Sequence, residues 1–419
     1  ILSKAGIRAL TLSGTNIFTG FANVNFVTLN INKAAALGTI AGTFTIAAGT
    51  TINNTSGNLV TTSNYPQAWN GDFTFTGTNA LNLGTGAVTL GANRIVTVSG
   101  STLTVGGIIG GAYSLTKAGS GALTLSGANT FSGGVTLSEG ILNINNATAL
   151  GTGTFTIAAG TTINNNSGAL ITLTNPQVWN GDFTSINTNS LVFSTGAVTL
   201  NANCQVTVNH TLNVTLNIGG VISGAYSLTK AGVGTLTLGG ANTFSGGLNL
   251  NAGTLNINNA AALGATAGRF TIATGTTIDH TSSGDLTVTN NNPQTWNGDF
   301  TFAGSGSYSL NLGTGAVTLG ANCTVTVGRE YLTVGGIISG PYSLTTKGGA
   351  YSLTLSGAND FAGSLTVNGG VLVLSGANTF GGSGKNVTLN YGTLYINNAT
   401  ALGNASNTFI INGGSIGAT

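Results

Sequence analysis

The chain repeats itself at an interval of about 113 residues, and that interval decides most of what it can fold into. TLSGTN carries Leu12, TLSGANTFSGG carries Leu125, TLGGANTFSGG carries Leu238 and TLSGANDFAGS carries Leu355. INKAAALG, INNATALG and INNAAALG place Leu37, Leu150 and Leu263 at the same step. WNGDF returns at Trp69, Trp179 and Trp296. A period of this length fits either a row of sandwich domains of ~100 residues or several turns of a solenoid. Three features select the solenoid. Apolar-alternating runs such as ALTL, FTI and TTI are short and divided by Gly, Asn and Ser, as strands between tight turns should be. LSGAN also returns 19 residues on, from Leu355 to Leu374. One added coil leaves a stack intact, whereas the same insertion would break the pairing of a sandwich. Nothing resembling an interdomain linker separates the copies. The expectation is an all-β chain forming one continuous solenoid over residues 1–419. Its repeats are approximately 1–113, 114–226, 227–343 and a partial 344–419. At ~20 residues per turn each repeat holds five to six turns and the chain about 21.

Charge narrows the function. There are 10 basic and 8 acidic residues, 4% of the chain against a usual ~25%. A net charge of +2 leaves no electrostatic footprint for nucleic acid or an anionic membrane surface. The 68 glycines, with only 4 prolines and no collagen period, serve turns. Thr, Ser and Asn at outward positions keep a nearly uncharged strand soluble. The longest weakly charged stretch, residues 34–52, is broken by Gly and Thr, so a membrane-spanning helix of ~20 apolar residues is not expected. The chain has no Met and begins in mid-pattern, which reads as a mature or partial product.

GALTLSGANTFSGGVTLSEGIL (Gly121 to Leu142) resembles the autotransporter-associated β-strand repeat of bacterial surface proteins. GTLTLGGANTFSGGLNLNAGTL (Gly234 to Leu255) and AYSLTLSGANDFAGSLTVNGGVL (Ala350 to Leu372) match it too. Worn copies lie at Arg8 to Leu29 and Val371 to Leu394. The resemblance implies a right-handed parallel β-helix, exported and displayed outside a bacterium as a passenger or adhesin-like protein.

The search for chemistry returns mostly repeat features. Lys4, Lys117, Lys230 and Lys347 sit in LTKAG-like strings, and Asp72, Asp182 and Asp299 in WNGDF. A group that returns with every repeat is read as structural. Asp279, His280 and Asp285 do not recur and have two readings, a metal or acid–base site or a solvated turn. One His and two Asp are too few for a specific metal assignment. Arg329 and Glu330 read as an exposed turn. No catalytic residue, metal ligand or cofactor site is assigned.

Asn16, Asn129, Asn242, Asn359 and Asn378 recur in LSGAN and read as turn residues, which bond local backbone. Only Asn359 and Asn378 are close enough in sequence to stack directly. Pro66, Pro176 and Pro293 precede the three tryptophans, so that segment reads as a loop or corner with Trp covering the core. Its functional reading makes Trp69, Trp179 and Trp296 a surface platform for sugar rings. Cys204 and Cys323 share one repeat position, where the first copy has Arg94. They are about six turns apart at ~4.8 Å per turn, too far for an intrachain bridge, which needs Cα atoms within ~7 Å. Buried thiols or an intermolecular bridge are the remaining readings. Neither end of the chain carries a polar cap, so the chain is expected to continue or to stack end to end on another copy.

The sequence therefore points to an extracellular structural solenoid, a bacterial surface fibre, stalk or filament scaffold. The rival is an adhesin passenger that grips glycans or surfaces. An ice-binding Thr array is a weaker reading, because the Thr-x-Thr runs keep no fixed spacing. An enzyme is not expected.

Overall fold

The computed structural model describes residues 1–418 except 5, 7, 211–213, 382 and 383. Among them every regular element is a β-strand, and none is a helix long and apolar enough to cross a membrane. The strands pair in parallel and in register, which makes a β-solenoid of about 19 coils. That is fewer than the 21 expected, because successive coils are offset by 19 to 26 residues rather than a fixed 20. The chain forms two compact units, residues 1–199 with 213–215, and residues 200–212 with 216–419.

Within the first unit a coil is made of three strands, for example Gln67–Trp69, Phe73–Phe75 and Leu81–Asn82. Each pairs with its counterpart one coil on: Gln67 with Val88, Phe73 with Val96 and Leu81 with Leu103. Alternate side chains turn inward, so the same interior position stacks from coil to coil. One such column runs Val96, Lys117, Leu137, Ile157 and Trp179, all with no exposed surface. Each apolar member of such a column contributes about 1.5–3 kcal/mol when fully buried. Outward positions carry Thr and Asn that bond along the stack. Asn143 Nδ2 donates to Thr124 Oγ1 at 2.8 Å, and Asn164 Nδ2 donates to Asn143 Oδ1 at 3.0 Å.

The repeat and the coil do not share a period. The strand Gln67–Trp69 lies in one sheet of the first unit and its repeat counterpart Gln177–Trp179 in the next sheet around the coil. Counting coil by coil from Phe73–Phe75 through Arg94–Val98, Leu115–Ala118, Val135–Leu137 and Phe155–Ile157 to Gln177–Trp179 gives five steps. A repeat is thus five coils and one further side. The second unit shows the same advance. Cys204 stands on the side of Leu228, Leu248, Phe270, Gln294 and Val317, whereas Cys323 stands on the following side. A surface feature that recurs once per repeat therefore moves to a new side each time within a unit, instead of lining one face.

In the last coils of the second unit, two sides fuse. Leu365–Leu374 pairs with both Leu344–Gly348 and Ser352–Leu355, and Asn386–Ile396 lies on it in turn.

Candidate functional site

The recurrent polar residues turn inward and hold coils together. Lys117 and Lys230 are fully buried. In LTKA the alternation that sends Leu inward sends Lys inward two residues later. The Lys117 ammonium donates to the carbonyls of Ala118, Gly119 and Glu139 at 3.0, 2.6 and 2.9 Å. Lys230 repeats the arrangement on Ala231, Gly232 and Ala252 at 2.9, 2.7 and 2.9 Å. Burial pushes both ammoniums down from 10.5 to about 8, at Lys117 against the raising influence of the Glu139 carboxylate. Lys347 departs from its expected equivalence. LTTKG carries one residue more than LTKA before the lysine, so Thr346 takes the inward position between Val325 and Val367. Lys347 is then turned out and exposed. A slip of one residue moves a side chain to the opposite face of a strand.

The LSGAN asparagines bridge coils rather than close local turns. Asn129 Oδ1 accepts the Ile109 N–H at 2.8 Å from the coil before, and its Nδ2 donates to Ala149 O at 2.6 Å on the coil after. Asn242 does the same with Ile222 and Ala262, at 2.8 and 2.7 Å. Asn16 donates to Ala36 O at 2.7 Å. Asn359 receives the Ile338 N–H at 2.9 Å and donates to Asn378 Oδ1 at 3.0 Å, and Asn378 donates to Ala401 O at 2.8 Å.

Trp69, Trp179 and Trp296 are fully buried, which overturns the reading of them as a sugar-stacking surface. Their segment is a strand, not a corner. Pro66, Pro176 and Pro293 stand just before it, where they need donate no ladder bond, and their carbonyls accept the N–H of Phe44, Phe155 and Phe270 at 2.8 Å. Each indole N–H donates to the Gln two residues earlier: Gln67 at 3.1 Å, Gln177 at 3.0 Å and Gln294 at 3.1 Å. Each ring meets the Phe of WNGDF edge-on, with centroids 4.9–5.0 Å apart.

The remaining candidates are structural in geometry. Asp72 Oδ1 accepts the Ile95 N–H and pairs with Arg94 at 3.5 Å, while Asp299 Oδ1 accepts the Thr324 N–H at 2.6 Å. His280 is buried rather than in a solvated turn, its Nδ1 3.0 Å from Ile257 O and its Nε2 2.7 Å from Gly284 O. Asp279 faces Ser305 and Asp285 accepts the Ser309 N–H at 2.8 Å, so the three do not converge on one point. Among the described residues no three His, Cys, Asp or Glu side chains group to hold a metal. Cys204 and Cys323 are buried free thiols. Burial and the Asp299 carboxylate push the Cys323 thiol up to about 12.

The exposed aromatics were missed by sequence reading. Tyr113, Tyr226 and Tyr342 are each about 40% exposed, and they recur in AYSL, AYSL and PYSL, a repeat signal that was there to find. A second set does not recur. Tyr308, Tyr331 and Tyr391 are 38%, 50% and 58% exposed, all in the second unit. They stand one to three residues before Leu310, Leu332 and Leu394, which belong to one inward column with Leu353 and Leu372. Tyr351, two residues before Leu353, meets Tyr331 edge-on at 6.0 Å. Beside them opens a groove of about 380 Å³ lined by Asp299, Thr301, Thr324, Thr326, Lys347 and Asn368, among others. Thr301, Thr326 and Lys347 form one outward row, and Asn368 pairs across with Tyr391.

Comparison with known proteins agrees with this architecture. Residues 2–26, 115–144, 228–257 and 346–374 match the passenger-associated-transport-repeat. An adhesin, the BmaC autotransporter of Brucella suis, is 49% identical over 72 residues, which is 17% of this chain. The match spans 2% of that relative's length. No solved structure matches the chain.

Proposed function

Since the chain is a β-solenoid of autotransporter-associated passenger repeats, displayed outside the cell at its surface, we propose that it serves there as a structural scaffold: a fibre, stalk or filament segment rather than an enzyme. One observation carries this reading. The polar groups that return with the repeat are used between coils: Asn129 and Asn242 each join three coils, and Lys117 and Lys230 each gather three carbonyls. A chain selected to hold coil on coil would keep these residues in every copy. Limited digestion of the whole chain with a broad-specificity protease tests it. The scaffold reading expects the bulk of the chain to survive conditions that degrade a globular control, with cuts confined to a few exposed loops. Rapid conversion to small peptides would end it. End-to-end stacking of copies belongs to the same reading, and filaments lengthening with concentration in electron micrographs would support it.

A second reading, an adhesin passenger that grips a surface, is supported by the name of the Brucella relative and by the exposed side chains of the second unit that do not recur.

A further inference from the structure

We infer that the groove at Asp299, Thr326 and Lys347, with the tyrosine edge beside it, is a binding site for a neutral glycan. It goes beyond the scaffold reading and stands or falls apart from it.

The first observation is non-recurrence. At the repeat position of Tyr331 the earlier copies have Thr102 and Thr215. At that of Tyr351 they have Gly121 and Gly234, and at that of Tyr391 they have Glu139 and Ala252. Residues that maintain the coil are kept in every copy, as Lys117 and Lys230 are. Tyrosines that replace Gly, Thr and Ala in one stretch only, and are left in solvent, are not explained by coil maintenance.

The second observation is convergence. Tyr308, Tyr331, Tyr351 and Tyr391 enter the same side of the second unit within five successive coils, ~4.8 Å apart. The fourth of these coils has no aromatic at the corner but Gly369 and Gly370. The Tyr391 ring lies against Gly369, since a methyl there would fall 2.9 Å from its Cε2. The row of rings thus continues across the gap. The inserted Thr that turns Lys347 outward acts on the same stretch, adding an ammonium to the groove.

The chemistry selects the ligand. Tyrosine offers an apolar face with a polar tip, which suits the C–H face and hydroxyl rim of a sugar ring. Thr301, Thr324, Thr326 and Thr345 supply hydroxyls, and Asn368 supplies an amide that both donates and accepts. Asp299 and Lys347 cancel in charge, so the groove attracts neither an acidic nor a basic ligand. A single-stranded nucleic acid would stack on the same rings but needs a cationic channel, which one lysine does not make. The volume of about 380 Å³ is at the lower end for a small-molecule site, and the groove opens along the stack, so a chain of sugars can extend past it. In the first unit the equivalent groove at Gly49, Thr50, Asp72, Thr74 and Thr97 is smaller, about 220 Å³, with neither lysine nor tyrosine in its lining.

The test is an array of neutral and acidic oligosaccharides probed with the whole chain and with three variants. Tyr331→Ala combined with Tyr391→Ala should weaken binding to neutral glycans at least about tenfold, as should Thr326→Ala combined with Lys347→Ala. Tyr113→Ala combined with Tyr226→Ala should leave it unchanged, as recurrent tyrosines outside the groove. Melting curves matching the parent chain show that the groove variants remain folded, and Tyr331→Phe should retain most of the binding. No signal on neutral glycans, binding to acidic glycans alone, or a signal indifferent to the groove variants would each overturn the proposal.

Discussion

Asn359 and Asn378 lie on consecutive coils and are joined twice: Asn359 donates to Asn378 Oδ1 through Nδ2 at 3.0 Å and through its backbone N–H at 2.9 Å. This is the only place among the described LSGAN asparagines where one copy of the motif rests directly on another, because a single coil separates them. Elsewhere the same side chain must find backbone on both neighbours, as Asn242 does with Ile222 and Ala262. Both arrangements place a neutral amide where one donor and one acceptor are needed on opposite sides.

Removing that amide should therefore cost more than the loss of one hydrogen bond. Asn242→Ala leaves a buried N–H and a buried carbonyl unpaired, and each such group costs about 1–3 kcal/mol. Asn242→Asp keeps the acceptor but sets a carboxylate against the Ala262 carbonyl, so it should be at least as harmful. Denaturant unfolding of both variants measures the loss. Native-state hydrogen exchange should show the Ile222 amide losing protection first. An unchanged midpoint for Asn242→Ala would mean the bridge is dispensable.

The buried lysines make stability depend on pH in a defined window. Lys230 titrates at about 8 when folded, against 10.5 when free in the unfolded chain. Below pH 8 both states hold the proton and the cost of burying the charge is present in full. Between about 8 and 10.5 the folded chain releases the proton while the unfolded chain keeps it, so stability rises with pH across that window. Comparing the parent with Lys230→Met isolates this residue. The difference in melting temperature between them should change over pH 8–10.5 in the parent's favour and be flat below pH 7.5.

Much of the coil was legible in the sequence and its geometry was not. Short alternating runs and Gly-rich corners gave strands, and the extra LSGAN at Leu374 excluded a sandwich. What could not be read was the advance of one side per repeat, because coil length varies and only pairing fixes the count. The tryptophans were misplaced because Pro66, Pro176 and Pro293 suggested a corner, whereas a proline just ahead of a strand gives up no ladder bond. Lys117 could have been placed: two residues after an inward Leu in a strand, it must point inward too. Its charge argued against that, and the three carbonyls that accept it come from a neighbouring coil and its own corner, which no local pattern shows. Tyr331 and Tyr351 meet across 20 residues of sequence, a contact set by register alone.

Register also predicts an exchange between Thr346 and Lys347. Deleting Thr346 restores the LTKG spacing of the earlier copies and places the lysine where Thr346 stands, between Val325 and Val367. The hydroxyl of Thr346 has no partner there. The deletion should bury the ammonium and strip the charge from the groove. Labelling with an amine-reactive reagent followed by peptide mapping reads this directly: Lys347 should label readily in the parent and be protected at least about tenfold in the deletion. Equal labelling would show that the corner cannot re-form around a lysine on this side.

Corner packing sets a stricter limit than any side chain. In the second unit Gly376 of LSGAN sits over the carbonyl of Gly357, its counterpart one coil earlier, so closely that an added methyl would overlap that oxygen and its carbon. The obstacle is backbone on both sides and no rotamer can relieve it. Gly376→Ala must push the corners of two coils apart, and neighbouring coils depend on one another for their pairing. The cost should exceed that of an ordinary overpacked core, about 1–3 kcal/mol. At Gly384 the surroundings are open and no atom lies within 4 Å, but its φ of +77° still favours glycine, so Gly384→Ala should cost only about 1–2 kcal/mol. Thermal unfolding of the pair separates the two effects. If Gly376→Ala proved no worse than Gly384→Ala, the close stacking of the LSGAN corners would not be what holds the coils in register.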